Sequence, residues 1–253
     1  MSAVLGIDAA WTRTNPSGVA LAADAGSGWH LVSIAASYAE FLGEPYSTDP
    51  HLAEKLLLKA KELTGQEVAI VAVDMPLSHQ PIAARRASDD ALSKAYGARH
   101  AGTHTASAIR PGPISAELTQ GFARLGYGLM TRYSDGKLAE VYPHPALIEY
   151  MKADRRLPYK YGKIGKYWPD DTPVARIGKL RSIWQQIVTA VDTRLPGTAE
   201  ALPLPPEGTK GKAMKAYEDM LDAAICACIG ISVLIGDVQG FGDEVSTIWV
   251  PRR

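Results

Sequence analysis

Asp8 closes the apolar run Ala3-Val4-Leu5-Gly6-Ile7, and Asp74 closes Val68-Ala69-Ile70-Val71-Ala72-Val73. The residues before each acid would fix its backbone in a sheet. In open α/β sheets ligands collect at the carboxyl ends of parallel strands, so two such acids on neighbouring strands would meet at one rim. The plain alternative is that both cap turns into the loops that follow. A third acid, Asp222, lies in Tyr217-Glu218-Asp219-Met220-Leu221-Asp222-Ala223-Ala224. Asp219 and Asp222 are three apart and share one helix face. An acid beside small apolar residues that pack on a sheet is costly unless it has a partner. Glu218 reads as decoration of a solvated turn, and Asp219 is open to the same reading.

Grouped carboxylates with no cation repel and raise one another's pKa values, which makes the grouping unfavourable for a purely structural role. Oxygen donors suit hard divalent cations, so Mg²⁺ or Mn²⁺ is the expected cofactor, with Asp8, Asp74, Asp219 and Asp222 as ligands. Glu140, at the start of Glu-Val-Tyr-Pro-His-Pro, is either a further ligand or an exposed or arginine-paired residue. His144, between two prolines, either contacts substrate and moves protons or is a surface histidine.

Cations crowd two segments. Arg85, Arg86, Arg99, His100, His104 and Arg110 follow Asp74, with Gly97, Gly102 and Gly112 allowing backbone approach to a ligand, and together could clamp phosphate. Between Lys152 and Arg181 lie Arg155, Arg156, Lys160, Lys163, Lys166, Arg176 and Lys179, with Tyr159, Tyr161, Tyr167 and Trp168 interleaved. Mixed cations and stacking rings suit single strands or splayed nucleotides. A solvated basic loop is the alternative.

These residues need elements to position them. Ala3 to Ala9, Ser17 to Ala23 and Trp29 to Ala36 read as strands of an antiparallel meander, joined by Asn-Pro-Ser-Gly and Asp-Ala-Gly-Ser-Gly turns. An amphipathic helix from Pro50 to Leu63 precedes a strand ending at Asp74, whose β-branched run suits burial on both faces. Helices are expected at Ala83–Ala95, Ser115–Met130, Pro145–Ala153, Pro173–Leu195 and Lys212–Ile235. A fifth strand is expected at Leu138–Tyr142, and an edge strand at Val245–Val250 before Pro251. At 253 residues, 46% hydrophobic and 21% charged, the chain suits a single α/β domain over 1–253 with a basic, aromatic insertion at about 152–181.

The net charge of zero argues against non-specific coating of nucleic acid, so such a substrate would need a local basic patch. Cys226 and Cys228 point about 200° apart on a helix, cannot bridge, and read as small core residues. No basic n-region precedes Asp8, which makes the cytoplasm the expected compartment. Ala223 to Ile235 comes nearest to a spanning segment but reads as a buried helix, so no membrane association is expected.

The ordered motifs Gly6-Ile7-Asp8, Val73-Asp74-Met75-Pro76, Arg85-Arg86 with Asp89, Glu140-Val141-Tyr142-Pro143-His144, and Asp219-Met220-Leu221-Asp222-Ala223 resemble those of domain-of-unknown-function family 429. The resemblance covers roughly residues 3 to 235, and its specificity lies in the ordered set. It implies a ribonuclease H-like α/β fold with a mixed five-stranded sheet, a β-β-β-α-β-α-β-α core and helical and loop insertions. It also implies a predicted nuclease, with Asp8, Asp74 and Asp222 as catalytic acids. In phosphodiester hydrolysis two ions about 3.5 to 4 Å apart activate water and stabilise the leaving oxygen. Substrate contacts would come from Arg85, Arg86, Arg99, His104, His144, Lys160, Lys163, Lys166, Tyr161 and Trp168. A related actin-like kinase would need a duplicated core and a Gly-rich phosphate loop, whereas Ala9-Ala10-Trp11-Thr12 follows Asp8. The alternatives are a non-catalytic binding module of the same fold, or a phosphotransferase or phosphohydrolase acting on a small phosphorylated ligand.

Overall fold

A computed structural model of the chain describes residues 2–45 and 49–252. In chain order the elements are β1 (Ala3–Asp8), β2 (Gly18–Asp24), β3 (Trp29–Ala35), α1 (Tyr38–Leu42), α2 (Leu52–Thr64), β4 (Val68–Asp74), α3 (Ala87–Tyr96), α4 (Pro113–Ala123), β5 (Leu138–Val141), α5 (Pro143–Tyr150), α6 (Ile164–Tyr167), α7 (Pro173–Asp192), α8 (Thr198–Ala201), α9 (Lys212–Leu234), β6 (Val238–Gly242) and β7 (Thr247–Pro251). The strands form one mixed sheet in the order β3-β2-β1-β4-β5-β7-β6. β1, β2 and β3 are the expected antiparallel meander, and β4 runs parallel to β1, β5 to β4 and β7 to β5.

The sheet has seven strands, against a five-stranded core implied by the resemblance and one further edge strand expected from the sequence. The last strand is not an edge: β7 lies between β5 and β6, and β6 takes the edge. Two glycines hide β6 from a pattern of β propensities. A side chain at Gly240 would press on the Trp249 ring, so the glycine makes room for a large partner across the pair. The fourth helix ends at Ala123 rather than Met130, because the chain turns at Gly126 (φ 84°) and returns to the sheet, where the Met130 N–H donates to the Leu138 carbonyl at 2.7 Å.

Alternation sorts the sheet into two faces. Val4, Ala72, Ala139 and Val141 join α7 and α9 in one core, while Leu5, Ile7, Val71, Val73 and Leu138 join α2 and α4 in another. Asp8 and Asp74 continue the first set and face α9. That helix comes unusually close. A Cβ on Gly6 would stand 2.3 Å from the Ala227 amide nitrogen, and one on Gly18 would stand 2.1 Å from the Asp219 carbonyl oxygen. Cys226 and Cys228 are buried and free on this helix, as expected of core residues. Among the described residues no helix is long and apolar enough to cross a membrane.

The close approach makes Gly6→Ala informative, because the added methyl must push α9 away from β1. Destabilisation of about 1 to 3 kcal/mol is expected from overpacking, read as a lower urea midpoint. Gly162→Ala, which meets open space, should stay within about 0.5 kcal/mol of the parent.

Candidate active site

Asp8 and Asp74 are register partners at the carboxyl ends of β1 and β4, two parallel strands at the centre of the sheet. Gly18 is the partner of Asp8 on the other side, and the Asp219 backbone lies against it. The first turns of α9 therefore bring Glu218, Asp219 and Asp222 over the strand ends. All three are buried, Asp222 completely. This corrects the solvated-turn reading of Glu218 and Asp219. The expected acids Asp8, Asp74, Asp219 and Asp222 meet in one region, where Asp222, Asp74 and Asp219 all act electrostatically on Asp8.

Two lysines enter the cluster. Lys160 bonds Asp222 and lies 3.7 Å from Glu218, while Lys215 bonds Asp219 and lies 3.0 Å from Glu218. The Tyr159 hydroxyl donates to the other Asp222 oxygen at 2.6 Å, and the Tyr161 N–H donates to Glu218 at 2.5 Å. Tyr159 is anchored in turn by the Trp184 indole, which donates to its carbonyl at 2.8 Å. Within the basic insertion, Tyr159, Lys160 and Tyr161 are thus built into the acid cluster, while Lys152, Arg155, Lys166 and Lys179 stay exposed. In this arrangement no group of three or more His, Cys, Asp or Glu among the described residues is disposed to hold a metal ion.

Burial is the main cause of the electrostatic stress. It raises the Asp8 carboxyl well above its ordinary range, with Asp222 adding repulsion. Burial also pushes Asp74 up to about 7, against the opposing pull of Lys160. Asp219 rises for the same reason, opposed by Lys215. Burial alone would lower the Lys160 pKa, but Asp222, Tyr159, Glu218 and Asp8 outweigh that and hold it well above its ordinary range. Five carboxylates thus face two ammonium groups, and protons on Asp8 and Asp74 relieve part of the excess.

Glu140 is not with the other acids. Its register partner is Val73, so its side chain lies on the face opposite Asp8 and Asp74. Both its oxygens are taken by Arg86 at 2.6 and 2.7 Å, and the Leu77 N–H also donates to it. The arginine-paired reading of Glu140 therefore holds and the ligand reading does not. Arg86 is equally spent: it caps α3, pairs with Asp89 at 2.9 Å and is buried, which corrects its expected role in substrate contact. Arg85 is tied along α3 to Asp90 and Ser93, and Arg99 to Glu149.

His144 is not at the surface. It is buried edge-on between the rings of Tyr142 and Tyr159, with centroids 5.3 and 5.2 Å away. Burial first, then the charges of Lys160 and Arg156, hold it well below its usual range and so neutral. The Tyr161 hydroxyl accepts from the Gly211 N–H at 3.1 Å, and Trp168 is half-buried with Lys179 over its ring. Lys163 is half-buried and Lys166 exposed. His104 lines a cleft of about 610 Å³ together with Asp8, Asp74, Trp11, Arg110 and Lys215. A cavity of about 640 Å³ beyond the segment that follows β1 holds none of the clustered acids, so the chemistry lies in the slightly smaller space.

A family model described as a protein of unknown function, DUF429, matches residues 6–247. The chain belongs to this family. No curated protein matches it. The DUF429 chain owes part of its site to residues that the sequence did not single out. Lys215 stands three and four residues before Glu218 and Asp219, a helical spacing at which ion pairs form, and that spacing was the available signal.

Two outcomes follow for the DUF429 chain. Arg86→Met leaves Glu140 buried without its counter-charge and should cost about 3 to 5 kcal/mol in denaturant unfolding. Folded Asp74 keeps its proton to about pH 7, against an ordinary 3.8, so the folded state binds more protons in between and stability falls as pH rises through that window. Asp74→Asn removes this loss. Without metal, its melting temperature should exceed the parent's at pH 8, by roughly 2 to 4 °C per kcal/mol relieved, and the gap should close near pH 4.

Proposed function

We propose that the chain is a ribonuclease H-like, divalent-metal-dependent hydrolase of phosphodiester bonds in nucleic acid. The observation that carries this reading is the pairing of Asp8 with Asp74 at the ends of adjacent parallel strands, beneath Asp219 and Asp222 of α9. Three antiparallel strands followed by two parallel ones, in the order β3-β2-β1-β4-β5 with the long helix across them, agree with the core that the motifs imply. On this reading β7 and β6 extend that core beyond β5.

By chemistry the donors suit Mg²⁺ or Mn²⁺, but as the lysines now hold them they are not disposed around one ion. Carboxylate oxygens are hard ligands, and the cluster holds more negative charge than its lysines balance. Asp8, Asp74, Asp219 and Asp222 would hold the cation, which when bound supplies activated water and charge stabilisation at the leaving oxygen. The chain's own part is to give up what now neutralises these acids. Asp8 and Asp74 must release protons, and Lys160 must yield its hold on Asp222. Tyr159 keeps Asp222 oriented meanwhile through the second oxygen. A lysine freed in this way has its charge available to a phosphate.

One observation favours a second reading, the non-catalytic module. Lys160 and Lys215 already satisfy the helix acids, so the fold is self-consistent with no metal at all. Calorimetric titration of the full chain with Mn²⁺ separates the two. The hydrolase reading expects saturable binding that is lost in Asp8→Asn and Asp74→Asn and tightened about tenfold in Lys160→Met, equal to about 1.4 kcal/mol. It also expects Mn²⁺-dependent cleavage of labelled single-stranded DNA or RNA that vanishes in Asp8→Asn. No binding by the parent at millimolar Mn²⁺ would leave the module reading in its place.

A further inference from the structure

Several cations of the two basic segments and of α9 are spent on carboxylates: Arg86 on Glu140, Arg99 on Glu149, Lys160 on Asp222 and Lys215 on Asp219. Arg156, Lys163 and His104 break the pattern. None of the three makes a side-chain hydrogen bond or an ion pair among the described residues, and the Nε of Arg156 is buried with no partner. Arg156 is nonetheless held in place, because its backbone N–H donates to the Arg99 carbonyl at 2.8 Å. Lys163 sits in the short helical turn Tyr161–Lys163 that follows Lys160.

A second, independent observation points to the same place. His144 is 5% exposed and its Nδ1 is buried without a partner. A neutral imidazole carries one donor and one acceptor, and burying either unpaired costs free energy. The charges of Lys160, Arg156, Lys163 and His104 all act on this ring. Burial first, then Lys163, Arg156 and Arg110, lowers His104, and burial first, then Arg156, Lys160 and Lys166, lowers Lys163, with Glu218 opposing. Like charges crowded beside an orphaned polar atom are an unfavourable arrangement until an anion enters.

We propose that Arg156, Lys163 and His104, with the buried ring of His144, form an anion subsite for a phosphoryl group at the side of the carboxylate cleft. A guanidinium fork, a point charge and imidazole donors together match an anion with several oxygens better than they match a single carboxylate. His104 lines the same cleft as Asp8 and Asp74, so the subsite adjoins the acids. For its role it rests on the hydrolase reading, in which the group held here is a substrate phosphate neighbouring the one at the acids. The subsite itself depends only on Arg156, Lys163 and the two imidazoles.

The test uses the metal-free full chain and inorganic phosphate at low ionic strength. Calorimetry should show saturable binding in the millimolar range or tighter, and ¹H–¹⁵N imidazole spectra should show shifts at His104 and His144. Arg156→Gln and Lys163→Gln should each weaken binding by about tenfold or more. Lys59→Gln, which removes a charge from the opposite face, should leave it unchanged. Asp8→Asn should retain phosphate while losing Mn²⁺, which keeps failure of the subsite distinct from failure of the metal reading. Absence of saturable phosphate binding, or equal affinity in the Arg156 and Lys163 variants, would overturn the subsite. Phosphate binding by a parent that takes up no Mn²⁺ would preserve the subsite and remove the hydrolase.

Discussion

The closeness of α9 to the sheet governs the rest of the molecule. Where a side chain would normally separate helix from strand, Gly6 and Gly18 let backbone meet backbone, and Ala223 and Ala227 complete a contact between small residues. Interiors are packed densely enough that such a contact allows little play. The helix is thereby fixed in both rotation and height. Because Asp219 lies against Gly18 and Gly18 pairs with Asp8, the helix acids are set over the strand acids by packing alone. The acids are therefore brought together by the apolar core, against their own repulsion.

That repulsion accounts for the chemistry around it. Charge taken out of water needs a partner or a proton. Here it finds three kinds of relief: ammonium groups on Asp219 and Asp222, a phenol on Asp222, and protons retained by Asp8 and Asp74. Glu140 shows the contrasting solution on the other face. With a guanidinium fork and an amide N–H filling its oxygens, it serves the joint between β5 and the start of α3. One sheet thus carries a saturated carboxylate on one face and undersaturated ones on the other, and only the latter can exchange their partners for something new.

Much of this was legible in the chain. Apolar runs ending in acids placed Asp8 and Asp74 at strand ends, and the three-residue spacing placed Asp219 and Asp222 on one helix face. The α/β class, the meander and the long helices followed from periodicity. What escaped has physical causes. Strand β6 is short, and its glycines answer to packing rather than to any strand propensity, Gly240 to the Trp249 ring and Gly242 to the Ser246 backbone. With β6 unseen, β7 had to look like an edge. The five-residue helix α1 is too short to show a period. Which face Glu140 occupies depends on the register of β5 against β4, and a one-residue change in register reverses the face. The burial of Glu218 depends on the chain returning at Tyr159–Tyr161 to cover it, a long-range contact with no local signature.

The basic segments show most sharply why residue type alone misleads. Arg99 and Arg156 have the same side chain and lie close together in the fold, and composition cannot tell them apart. Arg99 has Glu149 within reach at 2.7 Å and the Ala153 carbonyl at 2.8 Å, and these fix it as part of the turn. Its own carbonyl then accepts from the Arg156 amide and fixes the backbone at Arg156, whose side chain has no carboxylate to pair with. One arginine builds the platform on which the other is presented. The same division separates Lys160, which Asp222 captures, from Lys163 three residues later, which no acid captures. Whether a cation supports the fold or waits for a ligand is decided by which carboxylates the packing of α5 and α9 leaves within its reach.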